Sequence, residues 1–154
     1  MLEYCCIIWN PYQLDLIRSI ESIQRDFTNR MEGMHEKDYW ERLTFLNIFS
    51  LERRRERYII LYVFKIIYEL VPNPGISWYW SPRHGRQLYA PTIRYNSRFG
   101  QTYKYNSFFC LSARLFNCLP KDIRNLSCCM ETVKSNLDVL LHKVPDEPRL
   151  VKAI

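Results

Sequence analysis

Between Ser50 and Pro72 the chain can form one long helix whose second half has almost no polar face to turn toward water. From Tyr58 to Leu70 apolar residues fill nearly every position, and a helix that is hydrophobic all round has to be covered on all sides. Ser50 is placed to cap this helix, and Pro72, Asn73, Pro74 and Gly75 stop it. Whatever else the chain forms must therefore wrap around this segment. The longest apolar stretch, Tyr58 to Phe64, is seven residues long and ends at Lys65. A membrane span needs about 20, so a soluble protein is expected.

The remaining periodicities predict a mainly α fold: a small bundle of three N-terminal helices, a basic aromatic loop segment, and two short C-terminal helices. Asn10-Pro11 offers a capping side chain and a proline at a first helical position, and Leu16, Ile20, Ile23, Phe27 and Met31 then form one apolar stripe, with Gly33 as the stop. A shorter helix is predicted from about Asp38 to Asn47, with Asp38 as its cap and Tyr39, Leu43 and Leu46 on one side. The long helix follows. A compact helix is predicted over Asn106 to Cys118, closed by Leu119-Pro120. The last starts near Ser127 and uses Val133, Leu137, Leu140 and Leu141. The units read as residues 1–75 (helical, thumb-like), 76–105 (basic aromatic loop or short strand), 106–144 (helical) and a tail over 145–154. In that tail Pro145-Asp146-Glu147-Pro148 predicts an extended, exposed stretch.

Charge divides the chain unevenly. Its net charge is +6, yet residues 1–75 carry 10 basic and 11 acidic side chains against 12 and 5 in residues 76–154. From Ile76 to Lys121 there are seven basic side chains and no acidic one. In this segment Trp78, Tyr79, Trp80, Tyr89, Tyr95, Phe99, Tyr103 and Tyr105 alternate irregularly with Arg83, Arg86, Arg94, Arg98 and Lys104. Cationic side chains neutralise phosphates and aromatic faces stack on unpaired bases, so the pattern suits RNA or single-stranded or primed DNA. The candidates are Arg83, Arg86, Arg94 and Arg98 for phosphate, and Trp78, Trp80 and Tyr89 for stacking. The same composition also fits a small aromatic core whose arginines merely solvate its outside. Arg53, Arg54, Arg55 and Arg57, with Glu52 and Glu56 at helical spacing, predict a solvated helix face, with phosphate contact as the alternative.

Several chemistries have no sequence support. The six cysteines, Cys5, Cys6, Cys110, Cys118, Cys128 and Cys129, lack zinc-ligand spacing, and their two adjacent pairs suit a reducing compartment. An intracellular protein, nuclear or cytoplasmic, is expected. The N-terminus lacks the basic flank and cleavage site of a secretory signal. Four glycines and no Walker or Gly-x-Gly-x-x-Gly pattern leave no phosphate-cradling loop. Ser81 and His84 are two common residues near each other rather than a catalytic pair. No metal or cofactor is expected.

Several segments in one order resemble the region just after the catalytic palm in reverse transcriptases of metazoan non-LTR retrotransposons, of the LINE and Jockey type. They begin with Leu2-Glu3-Tyr4-Cys5, Trp9-Asn10-Pro11-Tyr12 and Ile20-Glu21-Ser22-Ile23-Gln24-Arg25. Tyr39-Trp40-Glu41-Arg42-Leu43, Leu51-Glu52-Arg53-Arg54-Arg55 and Val63-Phe64-Lys65-Ile66-Ile67 follow. Then come Arg83-His84-Gly85, where the family has Arg-Gly-His, and Leu88-Tyr89-Ala90-Pro91. Phe108-Phe109 through Phe116-Asn117-Cys118-Leu119-Pro120 is similar to the closing family motif, with Phe116 in place of tryptophan and Arg114 displaced. The resemblance covers nearly the whole chain. It implies a detached thumb and post-thumb fragment of an RNA-directed DNA polymerase, without the palm aspartates, inactive alone, that holds RNA template or primed DNA in the parent protein.

The alternative from another class is a helical protein–protein interaction module. Its apolar N-terminal face, Leu2, Tyr4, Ile7, Ile8 and Trp9, would then dock on a partner or mediate self-association. An enzymatic reading requires folding to assemble scattered acids such as Asp122, Glu131 and Asp138.

Overall fold

The computed structural model describes residues 5–90, 104–127 and 129–146. The fold is mainly helical: α1 (Cys6–Trp9), α2 (Leu14–Asn29), α3 (Tyr39–Phe45), α4 (Leu51–Ile67), β1 (Trp78–Ser81), β2 (Gly85–Leu88), α5 (Phe108–Cys118), α6 (Lys121–Arg124) and α7 (Met130–Lys143). The two strands form an antiparallel hairpin.

The apolar half of α4 lies at the centre, as its sequence requires. Ile59, Ile60, Val63, Phe64 and Ile66 are buried with Ala113, Leu115 and Phe116 of α5 and with Val133, Leu137 and Leu141 of α7. The Phe64 and Phe116 rings sit 5.3 Å apart. Burying each large side chain contributes about 1.5–3 kcal/mol, so this cluster is the main source of cohesion. Ile76, just before the hairpin, and Leu88, at the end of β2, join the same cluster and anchor the hairpin to the helices. Two predicted caps are in place. Ser50 Oγ accepts from Arg53 N at 3.1 Å, and Asp38 and Glu41 form a reciprocal capping box at the start of α3.

The first helix departs from its expected start. Asn10-Pro11 ends α1 instead of opening α2: Asn10 has ψ 114° and its N–H donates to Cys6 O. A residue before proline is pushed out of the α region. α2 begins three residues later, behind Gln13.

Its orientation is a second difference. α2 buries Ile17, Glu21, Gln24 and Thr28, while Leu16, Ile23, Phe27 and Met31 face outward, Phe27 being 69% exposed. The inward face is polar because it serves the start of α4. Glu21 accepts from Leu51 N at 3.0 Å, from Glu52 N at 3.2 Å and from the Tyr39 hydroxyl. A carboxylate there meets the unpaired N–H groups and the positive end of the helix dipole. Gln24 adds a bond to Phe49 O at 3.0 Å. Burial, and then the Glu21 carboxylate beside it, push the Tyr39 phenol well above its usual range.

The arginine run is likewise not a solvated face. Arg53 and Arg55 are each 1% exposed. Arg53 donates through Nε to Asp146 Oδ1 at 3.1 Å and through Nη2 to Pro145 O, and lies 3.5 Å from Glu56. Asp146 also accepts from Ser50 N at 3.0 Å. Pro145-Asp146, expected to be an exposed tail, is therefore docked on the start of α4 by its Asp146 side chain. Arg55 donates through Nε to Asn10 Oδ1 at 3.1 Å, but both its Nη atoms are buried and have no acceptor among the described residues. Burial lowers its pKa accordingly. Arg57 behaves closer to expectation, half-buried and paired with Asp138, its Nη2 donating at 2.8 Å.

Candidate nucleic-acid interface

The basic aromatic segment folds, over its described part, into the β1–β2 hairpin. Ser81 faces Gly85 across the turn, leaving Pro82, Arg83 and His84 as a three-residue loop. The chain leaves this loop through Gly85, whose φ of +72° lies in the left-handed region that glycine enters without strain. A Cβ at this position would fall 2.4 Å from Asn125 Oδ1. The order Arg83-His84-Gly85 thus places glycine where both the turn and the neighbouring amide demand it.

The outer edge of β2 is closed by side chains from the helical unit. Asn117 of α5 makes a two-bond clamp on Leu88: Leu88 N donates to its Oδ1 and its Nδ2 donates to Leu88 O, both at 2.9 Å. Arg86 N donates to Asn125 Oδ1 at 2.9 Å, and Arg86 O accepts from Arg124 Nη1 at 2.9 Å. Arg124 is buried, also donates to Leu119 O at 2.9 Å, and has its pKa lowered by that burial. Unpaired strand edges are costly when buried and sticky when exposed; here the outward backbone groups of Arg86 and Leu88 are satisfied. Asn117→Ala would leave the buried Leu88 N–H and C=O without partners. It is expected to cost about 2–4 kcal/mol in urea unfolding, with hairpin amides losing hydrogen-exchange protection before those of α4.

Because the hairpin packs on the helices through β2, the rings of β1 are left outside. Trp78, Tyr79, Trp80 and Tyr89 are all exposed, Trp80 by 62%. On one face Tyr79 donates to Gln87 Oε1 at 2.5 Å and its ring lies 4.6 Å from that of Tyr89. On the other, Trp80 stands opposite Arg86 and Trp78 opposite Leu88. Arg83 projects from the turn and is exposed, whereas Arg86 is half-buried with Nη1 at 3.5 Å from Arg124 O. The alternative of a small aromatic core does not hold for these described rings. Tyr105 is also exposed, under the Arg114 guanidinium at 3.7 Å from its ring centroid. Arg94 and Arg98, with Tyr95, Phe99 and Tyr103, lie outside the described residues.

Sequence reasoning missed Asn117, Arg124 and Asn125 as the residues that hold the hairpin. Only Asn117 carried a signal, through its place in the Phe116-Asn117-Cys118-Leu119-Pro120 motif. Of the proposed apolar N-terminal face, Leu2 and Tyr4 lie outside the described residues, Ile7 is half-buried, Trp9 is exposed, and Ile8 is 86% exposed. Two of the three scattered acids are paired with cations: Asp138 binds Arg57 and Glu131 lies 3.7 Å from Lys134. Among the described residues no three His, Cys, Asp or Glu side chains are placed to hold a metal ion, and no helix is long and apolar enough to cross a membrane.

No protein-family model matches the chain, and comparison with curated proteins and with solved structures finds no match.

Proposed function

We propose that the hairpin is a nucleic-acid-holding surface and that the chain is a non-catalytic thumb and post-thumb fragment of a non-LTR retrotransposon reverse transcriptase. In the parent protein it would hold RNA template or primed DNA during reverse transcription. The observation that carries this reading is the exposure of Trp78, Trp80 and Tyr89 on one short hairpin, inside a segment with no acidic residue from Ile76 to Lys121. Large rings left in water on a rigid element have little to offer folding, but each can stack on an unpaired base for about 1–3 kcal/mol. Trp78 and Trp80, two positions apart on a strand, sit about 7 Å from each other along it, so adjacent unstacked bases can use both. Arg83, free of a carboxylate competitor in its segment, supplies phosphate contact.

The resemblance gains a physical reason from the packing. Two of its segments, Leu88-Tyr89 and the one containing Asn117, are 29 positions apart yet meet in one clamp. Their pairing holds the rings in place.

Fluorescence anisotropy with labelled single-stranded RNA tests the proposal. Binding is expected at low salt and should weaken steeply between about 50 and 200 mM. Trp78→Ala/Trp80→Ala should lose at least about 10-fold in affinity, and Arg83→Ala should flatten the log–log salt slope by about 0.7. No binding at low salt, or full binding by the double variant, would overturn it.

A further inference from the structure

Among the described residues the outward face of α2 is unpartnered, and it is chemically specific. Leu16, Ile20, Ile23 and Phe27 recur at intervals of four, three and four residues, the spacing of a two-helix seam. Leu16, Ile23, Phe27 and Met31 are exposed and Ile20 is half-buried. The adjoining face of the helix is already committed to the start of α4 through Glu21 and Gln24, so α2 cannot roll to hide the stripe.

The charges beside the stripe indicate its occupant. On the solvent side, Asp15, Ser19, Asp26 and Arg30 form a flank in that order along the helix. Asp15, Asp26 and Arg30 are exposed and make no ion pair among the described residues. A second α2 laid parallel about a two-fold axis would set this flank across from the partner's other edge, where Ile17, Gln24 and Thr28 are already buried, and Asp15, Asp26 and Arg30 would meet no opposite charge of α2 there. Laid antiparallel, it brings Asp15 of each copy within about one turn of Arg30 of the other. Leu16 and Ile20 then meet Phe27 and Ile23, and the helix dipoles oppose. The arrangement is self-complementary, as a two-fold interface requires. The stripe offers on the order of 500 Å² on each copy, so two copies reach the about 1,000 Å² at which specific interfaces begin.

We infer that the exposed stripe of α2 is the docking surface for a second copy of this chain, in an antiparallel two-fold dimer. This does not rest on the nucleic-acid reading, because the stripe and the hairpin are separate elements.

Sedimentation velocity from about 1 to 200 µM tests it. The wild-type chain should pass from monomer to dimer, with no larger species. Ile23→Glu/Phe27→Glu should remain monomeric over the range with an unchanged circular dichroism melt, since both side chains already face water. Asp15→Arg should weaken dimerisation several-fold, and adding Arg30→Asp should restore it. A wild-type chain still monomeric at 200 µM would overturn the inference, and so would a dimer indifferent to Ile23→Glu/Phe27→Glu or a charge swap without rescue. RNA binding by the glutamate variant is measured in parallel; its retention or loss judges the hairpin proposal alone.

Discussion

Glu21→Ala is expected to lower unfolding stability by about 3–5 kcal/mol, the cost typical of removing one member of a buried charged network. The substitution strands two backbone donors at the start of α4, Leu51 N and Glu52 N, together with the buried Tyr39 hydroxyl. For a chain of this size 1 kcal/mol shifts the melting midpoint by roughly 2–4 °C, so a loss on the order of 10 °C should appear in a thermal scan. Glu21→Gln should recover only part of it, because an amide offers one acceptor oxygen to a site with three donors. Glu32→Ala, on an exposed residue, should change stability by less than about 0.5 kcal/mol. The same site carries a pH signature. The Tyr39 phenol is held protonated in the fold by burial and by Glu21, whereas in the unfolded chain it ionises near 10.0. The folded state therefore binds the extra proton above that pH, and stability falls as pH rises past it.

The second large effect separates two neighbouring arginines. Arg53→Met is expected to cost about 3–5 kcal/mol, since it leaves half-buried Asp146 facing Ser50 N without its guanidinium and frees Pro145 from α4. Arg55→Met should fall within about 1 kcal/mol of the wild type, or be more stable. Arg55 is as buried as Arg53, yet among the described residues its two Nη atoms have no acceptor and its Nε bonds to Asn10. A thioether of similar length fills the same space without stranding a charge. Urea unfolding of both variants reads the contrast directly. Equal losses would mean that Arg55 has partners equivalent to those of Arg53. Asp138→Asn, which weakens the half-exposed Arg57 pair, should cost under about 1 kcal/mol.

These contrasts show where the sequence was readable. The central position of α4 followed from its apolar run, because a surface with no polar side has only one place to go. Ser50 and Asp38 were legible as caps because capping is settled within four residues. The arginine run was not, because what decides its burial is Asp146, 93 positions from Arg53, and Asn10, 45 positions from Arg55. Periodicity located the apolar stripe of α2 correctly but carries no information on which side of a helix the chain later covers. Here a polar face with strong local acceptors won the interior. Asn-Pro is equally suited to ending one helix and preceding the next, and only the flanking Cys6–Trp9 turn resolves it. In the hairpin the rings and Arg83 were legible from composition, while the clamp that presents them depends on amides from two separate parts of the chain.

The proposal that the hairpin rings grip nucleic acid is tested most directly by the indole N–H signals of the protein in a proton–nitrogen NMR spectrum, assigned by single Trp→Phe variants. The chain has four tryptophans, Trp9, Trp40, Trp78 and Trp80. On titration with single-stranded RNA at low salt, the Trp78 and Trp80 signals should shift or broaden first and together, with Trp9 and Trp40 unmoved. Shifts confined to Trp9 and Trp40, or four signals unchanged at saturating RNA, would contradict it.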